Sequence, residues 1–275
     1  MNSAIKKDSV QLHMKIKTIS IILLLLTATA VIAQETGPPE EEKSEASELL
    51  TGVQDNSFLL EEAYNQEPGV VQHINLLLYD RDAKDWFYAF TQEWPVRSMK
   101  HQFSYTIPLT YDGDGDDSLN LGDIALNYRY QLIGNGESKV AVSPRLSVIL
   151  PTAEDNDVTG VQVGVPISTI LGERVLAHTN FGATWFNHDV DPEYLVGQSL
   201  IYAISPNVNA LVEAVWTGNS DDHDTVISPG IRWAINRPNG SQIVPGIAYV
   251  MDVSDDDGSD AILLYFSYEN AFGRH

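Results

Sequence analysis

The stretch Ser118–Leu132, SLNLGDIALNYRYQL, alternates over much of its length. Ile124, Leu126, Tyr128, Tyr130 and Leu132 share one parity, and Asp123, Asn127, Arg129 and Gln131 share the other. Successive side chains of a β-strand point to opposite faces, so the stretch reads as a strand with one apolar and one charged face. Charge is then expected to be tolerated at Asn127 and penalised at Leu126. Alternation alone does not say which face meets which solvent. A soluble sandwich buries its apolar face, whereas a membrane barrel turns it to lipid and lines its lumen with the polar one.

The beginning of the chain bears on that choice. A basic run from Met14, an apolar core at Ile19–Leu26 and the small-residue site Val31-Ile-Ala33 form the tripartite pattern of a secretory signal peptide over residues 1–33, with Met14 as the true start. After Ala33 no apolar segment is long enough to cross a bilayer as a helix, so a membrane-inserted form has to use strands. The sequence has no cysteine, which excludes disulfide staples and thiolate metal sites.

The chain carries a net charge of −22, and removing residues 1–33 leaves 12 basic against 37 acidic residues, a net of −25. Nucleic acid is therefore not an expected partner, since phosphate binding needs a basic surface. Residues 34–55 read as an acidic disordered leader around PPEEEKSE, Pro38–Glu45. Most other carboxylates fall in short blocks, at 112–117, 154–157, 188–193, 221–224 and 255–260. Between these blocks lie compact turns rich in Gly, Pro and Asn, at 134–137, 172–174, 205–207 and 237–241. The two kinds of connection alternate along the chain.

Strands between them number about twelve: roughly 70–79, 85–94, 100–110, 119–132, 138–150, 160–171, 174–187, 194–204, 207–217, 225–236, 241–252 and 261–272. An even number of antiparallel strands with short turns at one end and longer polar loops at the other is the pattern of an outer-membrane β-barrel. The predicted fold is thus all-β, a single transmembrane barrel over 70–272, located in the bacterial outer membrane. Trp86, Trp94, Tyr111, Trp185, Trp216 and Phe272 fall near strand ends, where amphipathic rings suit a membrane interface. The strands at 194–204 and 241–252 do not alternate cleanly, and their faces stay unassigned.

Asn56–His73, NSFLLEEAYNQEPGVVQH, followed by this array, resembles the opening of the outer-membrane transporters grouped with the meta-pathway phenol-degradation proteins. The resemblance covers about Ser57 to Phe272. It implies a β-barrel that passes small, aromatic or apolar compounds. The last strand, with Ile262, Leu264, Phe266, Tyr268 and Phe272 on one face, resembles the signal read by the barrel-assembly machinery, although Gly273-Arg-His275 follows the aromatic residue. Residues 56–69 read as a periplasmic mouth or plug-like segment, either a plug or gate or a leader packed against the barrel base, with Phe58–Asn65 as a short amphipathic piece before Pro68-Gly69 turns into the first strand.

Strand parity gives nine candidates for the lumen: His73, Glu93, Asp123, Arg129, Arg145, His178, Glu213, Arg232 and Glu269. Charges of both signs inside a barrel either form a selective constriction or pair and fill the lumen. The expected function is a channel or transporter for passive uptake of small molecules. The alternative is a structural or surface-interaction barrel with a closed lumen and acidic external loops.

No His-x-Ser pair of the outer-membrane phospholipase kind occurs, and an enzyme is not expected. No cofactor is expected either. The tract Asp112-Gly-Asp-Gly-Asp-Asp117 offers hard oxygen ligands, yet Asp117 stands where an EF-hand needs Gly and Asp123 where it needs Glu, so no dedicated metal site is assigned. Weak divalent cations shared with lipopolysaccharide phosphates are the expected rim partners, beside membrane lipid and the transported solute.

Overall fold

The alternating stretches pair, each with its neighbours in sequence, into one antiparallel sheet that closes on itself. The computed structural model describes residues 49–272 except 51, 114–117, 137, 155, 189, 239 and 255–259. The signal peptide, most of the acidic leader, and Asp114 and Asp116 lie outside the described residues. The strands are β1 (Val70–Asp80), β2 (Trp86–Val96), β3 (Ser98–Tyr111), β4 (Leu119–Leu121), β5 (Ile124–Tyr130), β6 (Val140–Val142), β7 (Arg145–Leu150), β8 (Gly160–Ile170), β9 (Val175–Phe186), β10 (Glu193–Ser205), β11 (Val208–Gly218), β12 (His223–Trp233), β13 (Ile235–Asn236), β14 (Gln242–Asp252) and β15 (Ala261–Ala271).

Three of the fifteen are fragments of interrupted strands. β4 and β5 both pair with β3, β6 and β7 with β8, and β12 and β13 with β14. Twelve spanning strands remain. β1 pairs with β2 on one side and β15 on the other, and the pairings β12–β14 and β14–β15 complete the ring. Closure satisfies every strand edge, the condition for a sheet to sit in hydrocarbon.

The connections sort to opposite ends, because each strand reverses direction. The links after β1, β3, β7, β9, β11 and β14 form an acidic rim; those after β2, β5, β8, β10 and β13 form the turn end.

Burial fixes the faces. Leu126 is 49% exposed and Asn127 4%, so the apolar parity of SLNLGDIALNYRYQL points outward. Leu146, Phe181, Leu200, Leu264 and Phe266 continue an exposed apolar belt around the outside. So large a patch on a closed sheet is a lipid-facing surface. Trp86, Tyr111, Trp185 and Trp216 border it toward the rim, and Trp94 and Phe272 toward the turn end.

The two strands that resisted assignment are resolved here. Gly197, Ser199, Ile201 and Ala203 face inward on β10, as do Val244, Gly246, Ala248 and Val250 on β14. Their inner faces are small or apolar because something packs against them from inside.

Candidate functional site

The packing partner is the N-terminal segment itself. Residues 52–67 contain no helix or strand, and Val53, Asp55, Ser57, Phe58, Leu60, Ala63 and Tyr64 are buried. The ordered segment thus begins before the expected boundary at residue 56. It lies inside the barrel along the inner wall, with no helix or strand at Phe58–Asn65.

A buried backbone without internal ladders needs partners elsewhere. Here the barrel wall supplies them in rotation. Asp55 accepts hydrogen bonds from Gln72 Nε2 on β1 (2.8 Å), from Tyr265 Oη on β15 (2.6 Å) and from Ser267 Oγ. Arg232 on β12 donates to the carbonyls of Asp55 (2.9 Å) and Asn56. Ser57 Oγ donates to Ser199 on β10 (2.8 Å). Glu213 on β11 accepts the consecutive N–H groups of Phe58 (3.2 Å), Leu59 (3.0 Å) and Leu60 (3.1 Å).

The chain continues past Asn180 on β9, which accepts Glu61 N–H (3.0 Å), and Ser168 on β8, which accepts Ala63 N–H (2.8 Å). Arg129 on β5 donates to Asn65 Oδ1 (2.9 Å), Glu62 O (3.1 Å) and Tyr64 O (2.6 Å). Gln66 N–H then bonds Gln102 on β3 (2.7 Å), and its side chain returns to Gln72. The segment therefore makes one circuit of the inner wall, closed at Gln72, and forms a collar. Phe58 and Leu60 lie against Gly246 and Gly197, where any Cβ would occupy the space of their side chains.

Seven of the nine lumen candidates take part in or border this arrangement. Glu93, Arg129, Arg145, His178, Glu213, Arg232 and Glu269 lie on the inward face. Glu61 of the collar pairs with Arg145 Nε (3.0 Å) and Arg129 (3.5 Å), and Arg129 also faces Glu93 (3.7 Å). His178 Nδ1 meets Ser168 Oγ at 2.7 Å, but both residues are fully buried and the serine already accepts a collar N–H. That pair anchors the collar. Glu269 accepts Gln242 N–H (3.2 Å) near the turn end.

Two candidates fall elsewhere. His73 is a correction: on β1 Gln72 and Ile74 point inward, so His73 points outward, stacked on Tyr268 at 4.5 Å and bonded to Gln92 at 3.0 Å. Parity misled there because Ile74, Leu76 and Leu78 line an apolar part of the interior. Asp123 sits at the break between β4 and β5, where it accepts the N–H groups of Thr152 (3.1 Å) and Ala153 (3.0 Å), and it staples the rim.

On the rim side of the collar one arc of the wall is apolar, and the arc facing it carries Thr106, Asn127, Arg145, Gln162 and Thr184. Leu76, Leu78, Ala89, Val226 and Leu263 form that apolar arc, with Phe58 and Leu59 of the collar at its foot. A cavity of about 150 Å³ opens there, and another of about 460 Å³ lies on the turn side.

The collar holds buried acids. Burial raises Asp55, with Arg232 opposing, and pushes Glu62 up to about 8, helped by Asp55 and opposed by Arg129 and Arg232. A carboxyl with its pKa raised above the free value of 4.5 holds its proton more tightly when seated. Its stabilisation is complete below pH 4.5 and is lost as pH rises through about 8. Hydrogen-exchange protection of residues 55–66, corrected for intrinsic rates, should therefore fall across that window. Glu62→Gln should flatten the fall, and an unchanged slope would show that Glu62 does not set it.

Several solved structures share this architecture. The chain matches an outer membrane channel from Pseudomonas putida F1 with a TM-score of 0.53 at 13% identity, over 76% of this chain and 98% of that one. It matches the KdgM porin with a TM-score of 0.52 at 6% identity, over 74% and 99%. The NanC porin matches at 0.51 and 8% identity, over 74% and 100%. No protein-family model and no curated relative matches the sequence. At such low identity the likeness is one of fold: this is the fold of bacterial outer-membrane channels and porins, and the apolar belt is what that membrane requires.

Proposed function

We propose that the chain is a passive channel of the bacterial outer membrane for small molecules, apolar or aromatic ones in particular. The observation that carries the reading is the vestibule: an apolar arc of Leu76, Leu78, Ala89, Val226 and Leu263 on one side of the rim-side lumen, above the collar and opposite a polar arc. Burial of apolar surface there favours such a solute by roughly 25 cal/mol per Å². The resemblance of Asn56–His73 to the meta-pathway phenol-degradation transporters points the same way. Membrane lipid, lipopolysaccharide with shared divalent cations at the rim, and the barrel-assembly machinery acting on the last strand complete the proposed partners.

The collar favours a second reading, a barrel whose closed lumen is structural. Proteoliposome swelling separates the two. Benzoate should enter faster than a hexose; equal rates would remove the substrate preference, and no entry of either would leave the structural barrel.

In this reading the rim is extracellular, because long polar loops lie outside and short turns in the periplasm. A cysteine at Asp221, exposed at the rim, should react with an impermeant maleimide on intact cells, and one at Glu173, exposed at the turn end, should not. The opposite pattern would invert the orientation.

A further inference from the structure

Two cavities lie on opposite sides of the collar. The rim-side chamber is bounded by Thr91, Glu93, Asn127, Arg129 and Arg145 of the wall and by Glu61 of the collar. The turn-side chamber is bounded by Glu62, Tyr64, Asn65, Gln66 and Glu269. They share no lining residue among those described. Arg129 stands in the first chamber's wall while donating to Glu62 O, Tyr64 O and Asn65 Oδ1 in the second; Gln102 and Asn56 also link the two linings, through Gln66 N–H and Glu62 N–H, but Arg129 is the charged link and makes three of the bonds. Volumes of about 150 and 460 Å³ are both far above what a water molecule occupies.

We propose that Arg129 is the charged member of the septum between the two chambers and sets both the size and the charge selectivity of ion passage through the collared barrel. The planar fork explains the size effect. Three acceptors on consecutive parts of the collar are bridged by one rigid group, whereas a lysine ammonium is a point charge on a flexible stem. The fixed positive charge explains the selectivity, since Arg129, 3% exposed, stands 3.5 Å from Glu61 and 3.7 Å from Glu93 and offsets these acids and the neighbouring Glu62 where an ion would cross the collar. The inference rests on the barrel spanning the membrane and not on the passage of apolar solute.

Planar-bilayer recording of the full-length protein in potassium chloride tests it. Arg129→Ala should join the chambers and raise single-channel conductance on the order of tenfold, the change that lowering a barrier by about 1.4 kcal/mol produces. It should also move the reversal potential toward cations. Arg129→Lys should raise conductance while leaving the reversal potential in place, which separates opening from charge. A cysteine at the buried Ser57, placed in each variant, reports whether the collar stays seated.

Higher conductance with that cysteine protected supports the septum. Unchanged conductance overturns it, even where benzoate uptake persists. Higher conductance with the cysteine labelled also overturns it, because the collar has then left. Failure of both variants to assemble would make Arg129 a folding residue and overturn the proposal too.

Discussion

Glu213→Ala is expected to unseat the collar. Glu213 is fully buried, and its two carboxylate oxygens receive the N–H groups of Phe58, Leu59 and Leu60. Alanine leaves three consecutive donors facing a protein wall. An orphaned buried donor costs about 1–3 kcal/mol, so the seated state loses on the order of 3 kcal/mol or more, a hundredfold or larger shift in its population. The loss is partly offset, because a buried carboxylate no longer has to be desolvated. Glu213→Gln keeps one oxygen for Leu59 and Leu60 but turns an NH2 donor toward the Phe58 N–H, so it should seat the collar less firmly than the native residue and more firmly than alanine. Maleimide reaction of a cysteine at Ser57 reads the outcome: rapid labelling in the alanine variant and slower labelling in the glutamine variant. Continued protection in Glu213→Ala would mean that the remaining anchors at Asp55, Ser168 and Arg129 hold the segment without it.

The barrel itself was legible in the sequence because its determinants are local. Leu126 and Asn127 declare their faces by parity, and the acidic blocks and Gly-Pro-Asn turns declare which connections share an end. The collar was not legible in the same way. Its anchors, among them Ser168, Ser199, Glu213, Arg232 and Ser267, are single residues on separate strands, brought together only by closure. A trace of it was present in β10 and β14, where the lost alternation records Leu60 and Phe58 lying against Gly197 and Gly246. The same filling explains His73. Once the collar makes part of the interior apolar, an apolar residue such as Ile74 no longer marks the lipid side, and a histidine between Gln72 and Ile74 turns outward.

The filled lumen also changes what the opening stretch predicts. Leu126 faces out from the middle of β5, paired with Tyr105 and Val148. Leu126→Arg should cost about 2–4 kcal/mol, the penalty for a cationic side chain near the bilayer midplane. Parity alone would make Asn127→Arg harmless. In the structure Asn127 donates to Ser104 Oγ (3.2 Å) and accepts from Arg145 Nη1 (3.0 Å), so an arginine there would displace a partner of one half-buried guanidinium and stand beside it and Arg129. Losing a hydrogen bond to a charged group costs about 1.5–3 kcal/mol, and a third guanidinium beside Arg145 and Arg129 adds repulsion, so both substitutions should destabilise the native protein comparably. They should part company once the collar is unseated. In a Glu213→Ala background water enters the lumen, the cost of Asn127→Arg should shrink, and that of Leu126→Arg should persist because lipid has not moved. Urea unfolding from lipid vesicles measures all four combinations. A penalty at Asn127 that survives in the Glu213→Ala background would show that the wall residues around Arg145, rather than the collar, make the interior intolerant of added charge.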